Sequence, residues 1–285
     1  MNSSAIVRRH YIQIRSEEGT LIRYIDIDYS VEDGLAIVRL NHPEVLNAIT
    51  FKTYEELEQL WLEMGNDDSV KAAVLTGAGK GFCSGGSVTG IIEHLLTRDA
   101  KGLYEFTRMT CNVTQNMRRL RKPIIAAVNG IAAGAGAVLA LACDLRVVSS
   151  AAKFSFLFVK VGLAGADMGA AHLLPRIVGM GRATELLFYG RPVDAEEAHR
   201  IGLANWVVPP EQVLDLAKEK ARKLINEGPL YAIGKTKDLL NDEAAMDLET
   251  ALETEALAQA YLMLTPEFHE GYKAFMEKRK PSFNR

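Results

Sequence analysis

Two glycine-rich turns are the stretches of this sequence best suited to hold a ligand against bare backbone. Residues 77–86 contain five glycines in ten positions, and Gly134-Ala135-Gly136 forms the second turn. Residues 137–143, an Ala/Leu/Val run typical of a buried helix, follow the second turn. Unpaired N–H groups at a helix start favour developing negative charge. Small residues also permit close helix–strand packing, but two such turns together favour a ligand site.

Asp167 is the carboxylate that the local pattern places beside a helix. Residues 153–161 form an apolar run that we expect to be extended, and residues 162–167 lead into a helix predicted from about Met168. An aspartate at this position commonly serves as the N-cap, a role worth about 1 kcal/mol. The apolar run and Val138 would also surround the carboxyl with hydrocarbon, which raises its pKa towards the range useful for proton transfer. The residues alone leave both roles open.

The elements around these residues alternate between strand and helix. Strands are predicted at residues 21–28, 35–40, 70–76, 124–128 and 205–208, and in a second buried strand that ends at 150, with a hairpin turn at 32–34. Helices are predicted at residues 54–64, 103–120, 137–143, 181–189, 194–201 and 212–226. The order implies right-handed βαβ units, a largely parallel sheet and an α/β fold.

The last part of the chain has a different character. Gly228-Pro229 interrupts the pattern, and helices without strands are predicted at residues 231–240, 244–264 and 266–278. We therefore divide the chain into a core at 1–228, with a β segment at its N-terminus, and a helical region at 229–285. The helical region would pack on the core or on a neighbouring subunit.

Composition excludes several classes of protein. The 285 residues are 48% hydrophobic and 24% charged, and a formal net charge of -3 gives no general attraction to nucleic acid. The three cysteines form no CxxC pair, which argues against a disulfide framework or a zinc site. No signal-peptide core is present, and residues 124–143 contain too many polar and glycine positions for a membrane span. We expect a cytoplasmic protein with neither a nucleic-acid nor a membrane partner.

Five motifs in order resemble the crotonase, or enoyl-CoA hydratase/isomerase, superfamily. They are NHPEVLNAIT (41–50), LTGAGKGFCSGG (75–86), KPIIAAVNGIAAGAGAVLALACDLRVVSS (122–150), LLPRIVGMGRATELLFYGRPVDAEEAHRIGLANWVVP (173–209) and GYKAFMEKRKPSF (271–283). Each motif alone is moderately specific, but all of them in this order are strongly specific. The resemblance extends over roughly residues 25 to 283.

The resemblance implies a crotonase-like core of stacked ββα units, a C-terminal helical region used for trimerisation, and coenzyme A thioester substrates. A homotrimer or hexamer is implied, with no cofactor besides the coenzyme A of the substrate. In this family two backbone N–H groups hold the thioester oxygen, and the matching residues are Gly86 and Ala135. Coenzyme A would be held around Val45, Leu46, Ala48, Cys83, Ser84 and Gly86, with Lys52 or Lys278 near its phosphates.

The resemblance also exposes a departure from the hydratases of the family. Their two catalytic glutamates align with Val138 and Phe158, which can neither orient water nor move protons. Asp167 aligns with the catalytic aspartate of dienoyl-CoA isomerases and related enzymes. A dehalogenase is disfavoured because its supporting Trp and His align with Phe158 and Gln115. We therefore expect a double-bond isomerase of fatty-acid or aromatic-acid metabolism, with Asp167 as the acid/base.

Other functions stay open beside this expectation. One alternative is a hydratase with a non-standard acid/base, and another is an acyl-CoA-binding protein without turnover. RNA binding, known in one branch of the family, is disfavoured by the acidic balance. His172 is interpreted as a core or rim histidine, Ser87 has no assigned role, and the acyl group is not determined because residues 88–107 and a neighbour's helices would form its pocket.

Overall fold

The computed structural model describes residues 11–16 and 19–283 as an α/β fold, which confirms the predicted class. An eight-stranded sheet has the order β1-β2-β3-β4-β5-β6-β8-β11, and a three-stranded sheet has the order β10-β9-β7. The strands are β1 Tyr11–Ser16, β2 Gly19–Tyr24, β3 Ile27–Glu32, β4 Leu35–Leu40, β5 Ala72–Gly77, β6 Ile124–Val128, β7 Ala132–Ala133, β8 Leu145–Ser149, β9 Lys153–Ser155, β10 Pro192–Asp194 and β11 Trp206–Val208.

The helices of the core lie between these strands, and those of the C-terminal region follow them. They are α1 Phe51–Gly65, α2 Glu93–Leu95, α3 Ala100–Arg119, α4 Ala135–Ala142, α5 Ala170–Val178, α6 Met180–Tyr189, α7 Ala195–Arg200, α8 Val213–Glu227, α9 Leu230–Asp242, α10 Leu248–Leu262 and α11 Pro266–Met276. The spacing of five apolar residues predicts one packing stripe on α1, and all five are buried: Tyr54, Leu57, Leu60, Trp61 and Met64. No helix among the described residues is both long and apolar enough to cross a membrane.

The large sheet is parallel only in its second half. Strands β4, β5, β6, β8 and β11 pair in parallel, whereas β1 to β4 are antiparallel. Alternate residues of the parallel strands face opposite layers. Leu75 and Ala126 pack towards α1, α3 and α4, while Val74 and Ile125 pack towards α8. Strand β5 is buried on both faces, as expected for a central parallel strand.

Two predicted strands are wrong in their extent. The strand predicted at 21–28 is two strands separated by a bend at Ile25 and Asp26, because the Glu56 carboxylate accepts the N–H groups of both residues at 2.9 and 3.0 Å. The run 153–161 is a strand only to Ser155, since its partners β7 and β10 are two and three residues long. Residues 157–161 then form a 3-10 helix.

The C-terminal helices begin and end close to the predicted positions, with one exception. The helix predicted at 244–264 begins at Leu248, because the Asp247 side chain caps it by accepting the Thr250 N–H at 2.9 Å. Helix α9 is joined to the core through Lys237, whose Nζ lies 2.8 Å from Asp144 Oδ2.

Candidate active site

Two asparagine side chains shape the first glycine turn. Asn129 Nδ2 donates to the carbonyl oxygens of Gly77, Gly79 and Gly81, each at 3.0 Å. Asn47 Nδ2 donates to the carbonyls of Ala78 and Gly81 at 2.9 and 2.8 Å. The turn lies far from Asn129 in the sequence, so the role of this side chain in holding it becomes visible only in three dimensions.

Gly130 follows the strand predicted at residues 124–128 as part of the Asn129-Gly130 turn signal. Its φ is not positive, and the residue is required by contact, because a Cβ at this position would lie 2.0 Å from the Lys80 carbonyl oxygen. Gly136 is constrained in the same way, since its Cβ would lie 2.3 Å from the Cys83 carbonyl oxygen. The two glycine turns therefore pack directly on each other.

Gly86 differs from these packed glycines. A Cβ on Gly86 would contact only Ile91 Cδ1, at 3.9 Å. The Ile49 N–H donates to the Gly85 carbonyl at 2.7 Å, and the Ser87 N–H donates to the Ile49 carbonyl at 2.8 Å. In such a parallel bridge the N–H of the middle residue points away from its partner strand. The Gly86 N–H is consequently directed away from Ile49 and donates to no protein acceptor within residues 24–283.

Ala135 supplies the second donor of the predicted pair. It is the first residue of α4, and its N–H donates to no acceptor within the part of the chain described here. A Cβ built on Gly85 would lie 3.8 Å from the Ala135 nitrogen, so the two turns are in contact at this point. The start of α4 adds the positive end of a helix dipole. This arrangement suits a negatively charged oxygen.

Asp167 does not cap a helix, contrary to the alternative considered from sequence. Helix α5 begins only at Ala170, after Met168 and Gly169, which have φ values of +50° and +96°. Asp167 Oδ1 accepts the N–H of Met168 at 2.8 Å. Burial raises the pKa of the Asp167 carboxyl, and the hydrogen bond from Met168 opposes this rise only in part.

The two residues that the resemblance aligns with catalytic glutamates are apolar and buried. Val138 lies within α4, and Phe158 lies in the 3-10 helix after β9. The Phe158 ring carbon Cε1 would be 3.9 Å from a Cβ on Gly134, which places the ring against the second glycine turn. Neither residue provides an acid or a base.

The structure brings together the residues predicted to contact coenzyme A. The Ser84 N–H donates to the Leu46 carbonyl at 2.9 Å, and Ser84 Oγ donates to the Val45 carbonyl at 3.1 Å. Residues 45–48 therefore lie beside residues 83–86, with Val45 exposed, Ala48 half-buried and Cys83 buried. Lys52 is less available than expected, because its Nζ lies 3.8 and 3.9 Å from Glu55 and Glu56.

The structure shows the surroundings of Ser87 and His172, whose roles the sequence left open. Ser87 Oγ accepts the Gly90 N–H at 3.0 Å and so caps the helical turn at Val88–Ile92. His172 lines a cavity of about 640 Å³ near Arg118, and partial burial, followed by the charges of Arg176 and Arg118, lowers its pKa.

Sequence reasoning missed two hydroxyl groups in this region. Tyr54 was predicted as part of a packing stripe, and Thr114 was not considered. Both side chains lie against the segment that follows Asp167. The signal available in the sequence was a hydroxyl group on a helix face that is otherwise apolar.

Comparisons with known proteins agree on one family. The profile of the enoyl-CoA hydratase/isomerase family matches residues 30–285. The short-chain-enoyl-CoA hydratase of Clostridium acetobutylicum is 37% identical over 250 residues, covering 87% of this chain and 94% of that protein. The 1,2-epoxyphenylacetyl-CoA isomerase of Escherichia coli is 35% identical over 254 residues, covering 89% and 96%.

Solved structures support the same relationship. A structure from Streptomyces coelicolor A3(2), of a protein assigned provisionally to the enoyl-CoA hydratases, has a TM-score of 0.89 and 46% identity, and covers 91% of this chain and 94% of that one. Fold and sequence together define a protein of the crotonase superfamily. Within it, the chain belongs to the enoyl-CoA hydratase/isomerase family.

Proposed function

We propose that this protein is an isomerase of enoyl- or dienoyl-CoA thioesters, with Asp167 as the acid/base. The observation that carries the proposal is a pair of backbone donors, at Gly86 and Ala135, that have no acceptor among the described residues, together with one half-buried carboxyl whose pKa is raised. One carboxylate is sufficient for isomerisation, which removes a proton and returns it elsewhere on the same molecule.

The reaction would proceed through an enolate. The Asp167 carboxylate takes a proton from the carbon α or γ to the thioester, and the electron pair moves towards the thioester carbonyl. The N–H groups of Gly86 and Ala135 donate to the enolate oxygen, and each such donor is typically worth about 3 kcal/mol. The protonated Asp167 then returns its proton at the other end of the allylic system, so that no atom is gained or lost.

Binding of coenzyme A would use the neighbouring loops. The backbone of Val45, Leu46 and Ala48 lies beside Cys83, Ser84 and Gly86. Gly86 is also one of the two backbone donors, so this binding surface is continuous with the donor pair. Lys278 is an exposed cation that could approach a phosphate group.

A hydratase is the second candidate, because the relatives include a short-chain-enoyl-CoA hydratase as well as an isomerase. Water addition would require Asp167 to perform the work that two glutamates perform in other members of the family. A binding protein without turnover is the third candidate. The acyl-CoA substrate is common to all three.

Incubation with a panel of 2-enoyl-, 3-enoyl- and dienoyl-CoA thioesters in deuterium oxide separates these candidates by mass spectrometry. An isomerase shifts the double bond and can incorporate deuterium without adding the mass of water, whereas a hydratase adds the mass of D₂O. Binding of the thioesters with neither change would overturn the catalytic proposal in favour of a binding protein.

A further inference from the structure

Two buried hydroxyl groups near Asp167 lack a strong hydrogen-bond acceptor. Tyr54, in the first turns of α1, is 3% exposed, and its Oη donates to Met168 Sδ at 3.5 Å. A thioether sulfur is a weak acceptor. Thr114, on α3, is 7% exposed, and its Oγ1 has no partner among the described residues. A buried hydroxyl without a good partner lowers the stability of a fold, so two of them in one region indicate a missing acceptor.

Both hydroxyls converge on the turn that follows Asp167. Tyr54 reaches Met168, and Thr114 Cγ2 lies 3.5 Å from the Cβ position of Gly169. The Tyr54 ring is held by an edge contact with Phe106, at 5.9 Å between ring centroids. Ile49, the residue that is bridged to Gly86, immediately precedes Thr50, the N-cap of α1, and Tyr54 lies in the first turn of that helix. The helix that follows Ile49 therefore contacts the Asp167 turn through Tyr54.

The turn itself borders space for a ligand. Met168, Gly169, Thr114 and Cys111 line the cavity of about 640 Å³, a volume within the usual range of small-molecule pockets. Met168 has a φ of +50°, a conformation that costs energy in a residue other than glycine and that recurs at functional sites. Its flexible side chain can rotate away and leave the Tyr54 hydroxyl to a better acceptor.

We propose that the Tyr54 and Thr114 hydroxyls form the polar end of the acyl pocket, and that the preferred acyl group carries an oxygen atom there, as a hydroxyl, oxo or epoxide group. This inference rests on the proposed function, since it extends the thioester site beyond Asp167. An oxygenated acyl group accepts a hydrogen bond from the tyrosine, whereas a plain hydrocarbon leaves both hydroxyls buried without partners. A pocket with donors of this kind discriminates against the analogue that lacks the oxygen.

The test measures dissociation constants for butyryl-CoA, 3-hydroxybutyryl-CoA and 4-hydroxybutyryl-CoA by calorimetry. We expect the wild-type protein to bind at least one hydroxy thioester about tenfold more tightly than butyryl-CoA, the equivalent of one good hydrogen bond. The double variant Tyr54→Phe with Thr114→Val should lose this preference and keep its affinity for butyryl-CoA. Tyr24→Phe, which removes a buried tyrosine hydroxyl that contacts Glu63, is the matched control and should keep the preference.

Each result is decisive. Equal affinities for the three thioesters in the wild-type protein, or a preference that survives in the double variant, would overturn this inference alone. Failure of all three thioesters to bind would overturn the proposed function and the inference with it. Thermal unfolding of each variant verifies that the altered proteins are folded, and the conservative replacements keep the ring and the branched side chain in place.

Discussion

Asp167 accepts a hydrogen bond from the main chain of its own neighbour, with 2.8 Å between Asp167 Oδ1 and the Met168 nitrogen. This contact holds the carboxyl in place at a turn and leaves Oδ2 free of any partner within residues 24–283. An amide in the same position can accept the same hydrogen bond, which makes a clean substitution available.

Asp167→Asn should therefore fold normally and turn over slowly. We expect the free energy of unfolding to be no lower than that of the wild-type protein, while turnover of a 3-enoyl- or dienoyl-CoA falls by roughly 10²–10⁴, the usual contribution of a positioned acid/base. Thioester binding should persist because Gly86 and Ala135 donate through their backbones. Steady-state kinetics and calorimetry measure both effects.

A control for this substitution is available on α7. Asp194 is a true N-cap that accepts the Glu197 N–H at 2.8 Å, and Asp194→Asn should change neither turnover nor binding. Wild-type rates in the Asp167 variant on the true substrate would contradict the assignment of the acid/base.

The raised pKa of Asp167 predicts a pH dependence of catalysis. The proton-accepting form is the carboxylate, so kcat/KM should rise with pH and reach its plateau only above the usual range of an aspartate, whose ordinary pKa is about 3.9. A pH–rate profile on the wild-type protein checks this. A midpoint at or below pH 4 would show that the titrating group is not this buried carboxyl.

The Asp167 carboxyl should make the free energy of unfolding fall as pH rises, whereas a salt-bridged aspartate makes it rise. The folded protein binds the Asp167 proton more tightly than the unfolded chain, so this residue lowers the free energy of unfolding as pH rises above the unfolded value of about 4. Asp167→Asn removes the effect. Urea unfolding should show the variant gaining stability relative to wild type between pH 4 and pH 7, and a constant difference would contradict the prediction.

Gly86 and Gly136 should respond differently to alanine. Gly136→Ala places a Cβ 2.3 Å from a carbonyl oxygen and should destabilise the fold by about 1–3 kcal/mol or more. Gly86→Ala has room for its Cβ and should unfold at the wild-type temperature, yet lose thioester affinity because the methyl group keeps the ligand from the N–H donor. Gly181→Ala, with no atom within 4 Å of its Cβ, serves as the control.

His42 should stabilise the loop at residues 41–48 in a pH-dependent way. Its Nε2 lies 2.9 Å from Asp26 Oδ1; burial alone would lower the His42 pKa, but the contacts with Asp26 and Glu44 raise it overall. The stabilising contribution is fully present below pH 6.5 and is lost as pH rises through the raised pKa. The stability difference between wild type and His42→Gln should shrink from pH 6 to pH 9, and a difference that stays constant over this range would contradict the prediction.

Helices α10 and α11 present apolar side chains that the single chain leaves uncovered, and we propose that they contact neighbouring subunits in a homotrimer or a dimer of trimers. The most exposed on these two helices are Leu248, Leu257, Tyr272 and Phe275, the last at 81%. Such surfaces are unusual on a monomer. Light scattering at micromolar concentration should give three or six times the mass of one chain, and a monomeric mass would contradict this.

Truncation after Gly228 tests whether the core folds without the C-terminal helical region. It removes Lys237, whose ammonium lies 2.8 Å from Asp144, together with the surface of α9 that covers the core. We expect insoluble protein, whereas a soluble and cooperatively folded fragment would support residues 1–228 as an independent domain.

Much of the architecture was determined by local pattern. Residues 124–128 form a strand with the predicted bounds, because a short unbroken apolar run next to a turn is typical of a buried strand. The stripe of α1 is buried as its spacing requires. The five motifs were sufficient to identify the family, since glycines and asparagines at fixed spacing reflect backbone contacts that few other sequences tolerate.

Tertiary structure decided the features that depend on partners distant in sequence. The extended run predicted at 153–161 ends at Ser155 because its neighbours are too short to continue pairing. Asp167 is a turn residue because Met168 and Gly169 adopt left-handed φ values, which no helical periodicity reveals. Tyr54 was assigned to the core from its spacing, yet only the approach of α1, α3 and the Asp167 turn shows that its hydroxyl lacks a strong acceptor. Spacing along the chain specifies which face of an element is buried, whereas the atoms that a buried polar group meets are set by the packing of elements far apart in the sequence.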